Sequence, residues 1–160
     1  MSEITLKGIV DEDFVNYKVP SMTLMFPYCS FKCEKGEARC QNSMLALEKN
    51  IRVDIDKICE RYISNPISES VVLQGLEPMD SYFEVVDLID TLRNKYHCDD
   101  DVVIYTGYNH DEIKDRVNKL AAYKNIVVKF GRYLPDQEAH FDAVLGVNLI
   151  SDNQYAERIS

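Results

Sequence analysis

The stretch SVVLQGLEPMDSYFEVVDLIDTLRNKYHCDDDVVIYTG, residues 70–107, holds two short apolar segments on either side of a longer amphipathic one. The outer segments, 70–75 and 101–107, are rich in β-branched residues without polar alternation, which predicts buried strands. The middle segment predicts a helix because its apolar residues recur at helical spacing; they are Tyr82, Val85, Val86, Ile89, Leu92 and Tyr96. A strand, a helix and a second strand of this kind indicate a parallel sheet covered by helices.

The flanking sequence extends this pattern in both directions. MTLMF at 22–26 and NIVVKFG at 125–131 predict two further buried strands. The tail VLGVNLISDNQYAERIS predicts a last strand followed by an irregular extension. We therefore expect an α/β fold with a mostly parallel open sheet and flanking helices, formed by residues 1–160 as a single domain.

Two more helices are predicted from their end signals. Asp54 is a good N-cap for a helix that ends near the SNP sequence at 64–66, and its apolar face contains Cys59. A later helix begins at Asn109 or Asp111. Cys59 is therefore expected to face the core.

Composition and charge narrow the classes of function. The 160 residues carry 18 Lys and Arg against 27 Asp and Glu, a net charge of -9 that would repel a nucleic-acid backbone. The N-terminal sequence has no basic segment followed by an apolar run, and no apolar stretch approaches the length of a membrane span. We expect a cytoplasmic protein that binds neither nucleic acid nor membrane.

Reactive groups of such folds collect where parallel strands end. Three segments meet this rule: the loop after Phe26, the GLEP turn after Gln74, and the YTGY sequence at Tyr105. Because the C-terminal ends of parallel strands lie at one edge of a sheet, we expect these segments to converge. The three histidines are expected at surface or turn positions; they are His97, His110 and His140.

Three of the five cysteines lie in the loop after Phe26, in the order Cys29, Cys33 and Cys40. A structural zinc site needs a fourth protein ligand, which Cys59, Cys98 or a histidine would have to supply through the fold. A [4Fe-4S] cluster fits three thiolates better, because the fourth iron can be left for a small molecule. Zinc and incidental thiols stay open as alternatives.

YCSFKCEKGEARCQN, with QGLEP downstream, resembles the cluster motif and the Gly-Gly-Glu-Pro turn of radical S-adenosylmethionine enzymes. The short chain, the IYTGY strand and the SDNQYAERI ending are similar to the glycyl-radical activating enzymes of anaerobic ribonucleoside-triphosphate reductases. Three departures are visible: four extra residues precede Cys40, Arg39 replaces an aromatic residue, and Leu76 replaces the second glycine.

The resemblance implies a partial (βα) barrel of the radical S-adenosylmethionine type in which Cys29, Cys33 and Cys40 hold the cluster. It also implies that the cluster cleaves S-adenosylmethionine to methionine and a 5′-deoxyadenosyl radical, which abstracts hydrogen from a glycine of the reductase. The resemblance further implies that the backbone of Arg39, Cys40 and Gln41 contacts the adenine and that Asn42 supports the loop. The methionine end of the cofactor would be recognised by the turn that consists of Gly75, Leu76, Glu77 and Pro78. Tyr105 and Thr106 are further candidate positions at a strand end.

On sequence physics alone, Glu77 and Pro78 are also typical of a helix start. The implied partners are the large reductase subunit and an acidic electron donor such as a flavodoxin. The basic residues of the cysteine loop would form the docking patch for this electron donor or reduce the negative charge of the cluster; they are Lys32, Lys35 and Arg39. The alternative is that they are ordinary solvated surface charges. Two other functions stay open: a small radical enzyme acting on a peptide or small molecule, and a non-enzymatic zinc or iron-sulfur binding module.

Overall fold

The computed structural model describes residues 2–29, 45, 47–134 and 136–160. Its main sheet contains six strands: β2 Gly8–Asp13, β3 Ser21–Phe26, β5 Ser70–Gly75, β6 Asp101–Tyr105, β7 Ile126–Phe130 and β10 Tyr155–Arg158. Two short antiparallel ribbons accompany it, one formed by β1 Glu3–Leu6 with β4 Ile51–Asp54, the other by β8 His140–Asp142 with β9 Val147–Leu149.

The sheet is ordered β10-β7-β6-β5-β3-β2. Its four inner strands, β3, β5, β6 and β7, are parallel, and both edge strands are antiparallel to their neighbours. These four inner strands were predicted from the sequence and are confirmed individually. The sheet is open, because its two edge strands do not pair with each other. The partial barrel of the radical S-adenosylmethionine type stays a prediction.

In the part of the chain that the structure describes, three helices connect the parallel strands: α1 Ile55–Ile63, α2 Tyr82–Asp90 and α3 Lys114–Leu120. Asp54 caps α1 as predicted, since its side chain accepts a hydrogen bond from the Asp56 amide. Helix α2 follows a 3-10 turn at Pro78–Ser81 and continues into a π-helical turn at Thr91–Lys95. No helix in the described ranges is both long and apolar enough to cross a membrane.

The two faces of the sheet pack against different material. The face that carries Val71 and Leu73 packs against all three helices and forms the larger hydrophobic core. The opposite face carries Val72, Val103 and Val127, which pack against Tyr17 and the β8–β9 ribbon. Alternation along the strands then places Gln74, Tyr105 and Lys129 on that second face, two residues closer to the C-terminal edge.

The tail differs from the sequence-based prediction. One last strand and an irregular extension were expected, but the tail contains two strands: β9 at Val147–Leu149, and β10 at Tyr155–Arg158, which pairs with β7. The prediction was wrong because YAER has no run of β-branched residues; this strand is stabilised by the pairing it completes rather than by its own propensity. Edge strand β2, with the polar sequence GIVDED, was missed for the same reason.

Candidate functional site

A cavity of about 350 Å³ lies at the C-terminal ends of the parallel strands and is partly open to solvent. Strands β5, β6 and β7 contribute to its wall, Cys29 adds the segment that follows β3, and the segment between β9 and β10 closes one side. The lining includes Asn16, Cys29, Gln74, Gly75, Leu76, Glu77, Tyr105, Thr106, Gly107, Lys129, Gly131, Arg132, Tyr133, Asn148, Ile150 and Gln154. The expectation that the three strand-end segments converge is therefore confirmed for the described residues.

The structure brings six of the sequence-predicted site residues together at this cavity: Cys29, Gly75, Leu76, Glu77, Tyr105 and Thr106. Pro78 is buried in the following 3-10 turn. The other predicted positions lie outside the described residues; they are Lys32, Cys33, Lys35, Arg39, Cys40, Gln41 and Asn42. The roles assigned to all of these residues stay predictions.

Gly75 is required by the close approach of the chain that leads to Cys29. Its φ is +102°, and a Cβ there would lie 2.5 Å from the Phe26 backbone nitrogen. The next residue joins the same strand end, since the Leu76 amide donates to the Phe26 carbonyl at 3.0 Å. Leu76 has no positive φ, so the family's second glycine is not needed here for backbone freedom.

The carboxylate of Glu77 is fully buried and bonded to its own chain. One oxygen accepts from the Met79 amide at 3.0 Å and from the Thr106 hydroxyl at 2.7 Å. The other oxygen accepts from the Gly107 amide at 2.7 Å. Glu77 thus caps the turn that starts at Pro78, as the helix-start interpretation expected, and links the end of β5 to the end of β6.

Burial raises the pKa of Glu77 to about 7, and the neighbouring Asp80 adds to the rise. The three donors act in the opposite direction because they stabilise the ionised form. Desolvation is the larger effect. Glu77 is therefore a carboxyl group that changes charge near neutral pH, in the wall of the cavity.

Tyr105 and Thr106 differ in what they contact. The Thr106 hydroxyl binds Glu77 and also accepts from the Tyr108 amide at 3.1 Å, so this side chain is part of the buried turn network. The Tyr105 hydroxyl donates to the Asn16 carbonyl, and burial raises its pKa above the ordinary value for tyrosine. Tyr105 thereby ties the β2–β3 connection to the cavity wall.

Lys129 is a cavity residue that the sequence analysis missed. It is 5% exposed, its ammonium donates to the Gly131 carbonyl at 2.9 Å, and it lies over the Tyr105 ring at 5.7 Å from the centroid. The signal was present in NIVVKFG, where one lysine interrupts an otherwise apolar strand. Lysine is rarely buried without a specific reason.

Arg132 also lines the cavity, but its charge is already balanced within the chain. Its guanidinium makes a bidentate pair with Glu112, with both bonds at 2.9 Å, and lies over the ring of Tyr108. The same pair holds the pKa of Glu112 below its ordinary value. Arg132 therefore anchors the strand end to the segment before α3.

The two cysteines outside the loop are placed unfavourably for metal binding. Cys59 is 1% exposed in the helix-side core, as predicted, and burial raises the pKa of its thiol to about 12. Burial also raises the pKa of Cys98. Because metals bind the thiolate, both thiols would lose part of their affinity to this cost.

Cys29 is the one cysteine of the loop that lies within the described residues. Its side chain is half-buried, carries no disulfide and lies in the cavity wall. Within the described ranges no three His, Cys, Asp or Glu side chains are grouped for metal binding, and the other two loop cysteines lie outside those ranges. One placed thiol and two more within eleven residues along the chain suit an iron-sulfur cluster, which prefers soft sulfur ligands.

Comparison with known proteins gives a family but no individual relative. A family model described as a 4Fe-4S single cluster domain matches residues 20–149, well over half of the chain. The matched range includes the cysteine loop and all four inner strands. No curated protein and no solved structure matches. The chain belongs to the family of 4Fe-4S single cluster domains.

Proposed function

We propose that this protein is a radical S-adenosylmethionine activase that generates a glycyl radical on an anaerobic ribonucleoside-triphosphate reductase. The observation that carries the proposal is the placement of Cys29 and the Gly75–Glu77 turn in one cavity of a 4Fe-4S domain. The cysteine loop and this turn are the two motifs that such an enzyme must bring together, and Cys29 lies 46 residues before Gly75 in the chain.

The charges in the cavity support a ligand with an amino-acid end. Glu77 and the turn carbonyls are acceptors for an ammonium group, and Lys129 is a donor for a carboxylate. Cation binding near Glu77 would favour its ionised form, which burial alone disfavours. Methionine in S-adenosylmethionine carries both an ammonium and a carboxylate group.

A bound [4Fe-4S] cluster supplies the electron that cleaves S-adenosylmethionine, and the protein supplies orientation and shielding. In this proposal Cys29, Cys33 and Cys40 hold the cluster. The backbone of residues 39–41 contacts the adenine, and Asn42 supports the loop. Glu77 fixes the turn through its three hydrogen bonds. Lys129 holds the carboxylate end, and Tyr105 keeps the β2–β3 connection against the wall.

The proposal extends to the partner and the electron donor. The cavity is partly open, so a large reductase that docks over it would exclude water from the reacting groups. An acidic donor such as a flavodoxin would use the basic side chains of the cysteine loop. Their attraction is local, since the protein as a whole carries a net charge of -9.

A non-enzymatic cluster-binding module is the second candidate, and one observation favours it. Both oxygens of Glu77 already accept hydrogen bonds from the chain, so the carboxylate has a structural role without any ligand. Substitution Glu77→Gln separates the two candidates. A ligand contact predicts that S-adenosylmethionine binds more weakly by about 1–3 kcal/mol, whereas a module predicts no affinity in either protein.

The deciding experiment uses the anaerobically reconstituted protein with the purified anaerobic reductase. We expect S-adenosylmethionine to change the electron paramagnetic resonance spectrum of the reduced cluster, and the reductase to develop a stable glycyl radical doublet. The same mixture without S-adenosylmethionine is the control. A cluster spectrum that does not respond to S-adenosylmethionine would contradict the proposal.

A further inference from the structure

The turn Ser151–Gln154, which we name the SDNQ turn, packs against the chain as it leaves β7. Gln154 is 3% exposed and lies in the cavity wall. Its side-chain amide is hydrogen-bonded inside the protein. The turn therefore contributes to the cavity wall.

Three hydrogen bonds join the SDNQ turn to residues 131–134. The Gln154 amide nitrogen donates to the Gly131 carbonyl at 3.3 Å, and the Asn153 amide nitrogen donates to the Arg132 carbonyl at 2.9 Å. The Leu134 amide donates to the Ser151 hydroxyl at 3.4 Å. The segment that supplies one wall of the cavity is therefore held on one side by the turn, in addition to the Gly131–Tyr108 hydrogen bond and the Arg132–Glu112 pair.

The contact is close enough to require glycine at position 131. Gly131 has a φ of +105°, and a Cβ there would lie 3.1 Å from the Asn153 carbonyl oxygen and 3.2 Å from the Gln154 Cα. The Gln154 side chain is itself held, since its oxygen accepts from the Ser151 amide at 3.2 Å. The amide group is thus oriented on both sides.

The Gly131 carbonyl is the point at which the turn meets the buried lysine. It accepts from the Gln154 amide and also from the Lys129 ammonium at 2.9 Å. Because the Gln154 amide fixes the Gly131 carbonyl, this carbonyl in turn fixes the Lys129 ammonium. The position of the positive charge in the cavity then depends on Gln154, although Lys129 lies in β7 and Gln154 lies in the SDNQ turn.

We propose that Gln154 is a positioning residue that acts through Lys129 to bind the carboxylate end of the ligand, with Asn153 holding the adjoining Arg132 carbonyl. This inference rests on the proposed function, because the ligand is S-adenosylmethionine. It adds a role for the SDNQ turn, which the cluster chemistry does not use.

A double-mutant cycle tests the coupling, with S-adenosylmethionine affinity measured by calorimetry on the cluster-loaded protein. Gln154→Met keeps the side-chain volume and removes the donor, and we expect it to weaken binding about tenfold. In the Lys129→Met background the same change should have almost no further effect, because the group through which Gln154 acts is gone. Additive losses would overturn the inference while the proposed function stands.

Asp152→Asn is the matched control, since Asp152 lies in the same turn and is exposed. It should change neither affinity nor iron content. Asn153→Ala removes only the contact with Arg132 and provides a second variant if Gln154→Met does not fold. It should weaken binding less than Gln154→Met, and equal affinity of Asn153→Ala and the unchanged protein would remove Asn153 from the proposal.

Hydrogen exchange gives a readout that needs no ligand. Exchange of the amides at 131–133 should be about tenfold faster in Gln154→Met and unchanged in Asp152→Asn, because only the former loosens this segment. Unchanged exchange in both variants would overturn the inference. If the unchanged protein binds no S-adenosylmethionine, the proposed function fails, and the exchange data still decide whether Gln154 fixes residues 131–133.

Discussion

At the scale of single residues, Glu77 combines two properties that seldom occur together. Its carboxylate joins two strand ends through three hydrogen bonds, and burial raises its pKa to about 7. A group that is neutral in the folded protein at pH 5 and ionised when unfolded makes stability depend on pH. The direction of that dependence follows from the raised pKa.

Glu77→Gln should remove one component of the pH dependence of stability. Since the folded pKa of about 7 exceeds the ordinary 4.5, the contribution of Glu77 is fully present below pH 4.5 and is lost as the pH rises towards 7. From pH 5 to pH 8 the unchanged protein should lose about 2–3 kcal/mol relative to the glutamine variant. Urea unfolding of the cluster-free, reduced protein at both pH values measures the difference.

Thr106→Val gives a comparison for this prediction. It removes one donor to the carboxylate and should raise the Glu77 pKa further, which shifts the pH-dependent loss to higher pH. Parallel pH profiles for the unchanged protein and Glu77→Gln would show that Glu77 titrates near its ordinary value when folded. The network would then be more hydrated than its burial indicates.

Cysteine substitutions should separate cluster ligands from core thiols. Cys29→Ala, Cys33→Ala and Cys40→Ala should each abolish the four-iron content expected of the reconstituted protein. Cys59→Ala should retain iron and lower the free energy of unfolding by about 1 kcal/mol, because it leaves a small void in the helix-side core. Iron and sulfide analysis with thermal unfolding distinguishes these effects. Iron lost from Cys59→Ala or Cys98→Ala but kept in a loop variant would disprove the ligand assignment.

At the scale of elements, the pairing of β3 with β5 determines where the cysteine loop begins. The strands are parallel and in register up to Phe26 and Gly75, and the Gly75 Cα approaches the backbone of Met25 and Phe26. A side chain at position 75 would meet backbone atoms, which cannot move without shifting the strand. The place of Cys29 therefore depends on a glycine in the neighbouring strand.

Gly75→Ala should destabilise the protein by about 3 kcal/mol or more, through both the positive φ and the backbone clash. It should also reduce iron content, because the end of β3 is displaced. Gly8→Ala is the matched control, since its Cβ would meet only the flexible end of Met25 at 3.0 Å. Urea unfolding and iron analysis measure both effects. Equal losses for the two variants would argue against a special requirement at Gly75.

The elements that could be predicted from the sequence are those stabilised by their own apolar composition. Inner strands β3, β5, β6 and β7 are largely buried on both faces, so their sequences are mostly apolar without regular polar alternation. The edge strands β2 and β10 are polar, and partner strands stabilise them. Local sequence carries little information about such pairing.

At the scale of the whole molecule, the two faces of the sheet are covered by different elements. Helices cover one face and build the larger core, whereas Tyr17 and the β8–β9 ribbon fill only part of the other face. The part left unfilled, next to the strand ends, is the cavity. Convergence of Cys29 with Gly75 and Glu77 could be predicted because it follows from parallel strands.

The contribution of Lys129, Gln154 and the β8–β9 ribbon could not be predicted in this way. Lys129 becomes a cavity residue through the face it occupies, and Gln154 through a turn that packs against β7. Both depend on which segment covers the second face of the sheet. Tertiary packing between residues far apart in the sequence determines which segment covers this face.

The rim of the cavity carries exposed apolar side chains, of which Val15 is 74% and Ile150 46% exposed. If the reductase covers the cavity, these side chains become buried in the interface, and a charge at either position would have to be desolvated. We expect Val15→Glu and Ile150→Glu to slow glycyl-radical formation about tenfold. S-adenosylmethionine affinity of the isolated protein should stay the same, because both side chains are exposed at the rim.

Phe83→Glu is the matched control for the rim. Phe83 is 83% exposed on helix α2, which covers the opposite face of the sheet, so the variant adds the same charge away from the cavity. Radical formation measured by electron paramagnetic resonance should proceed at the unchanged rate in this variant. With no reductase present, all four proteins should cleave S-adenosylmethionine slowly and at equal rates, since nothing then excludes water from the site. Equal radical formation by the rim variants and the unchanged protein would place the docking surface elsewhere, and rapid cleavage by the isolated protein would remove the need for a covering partner.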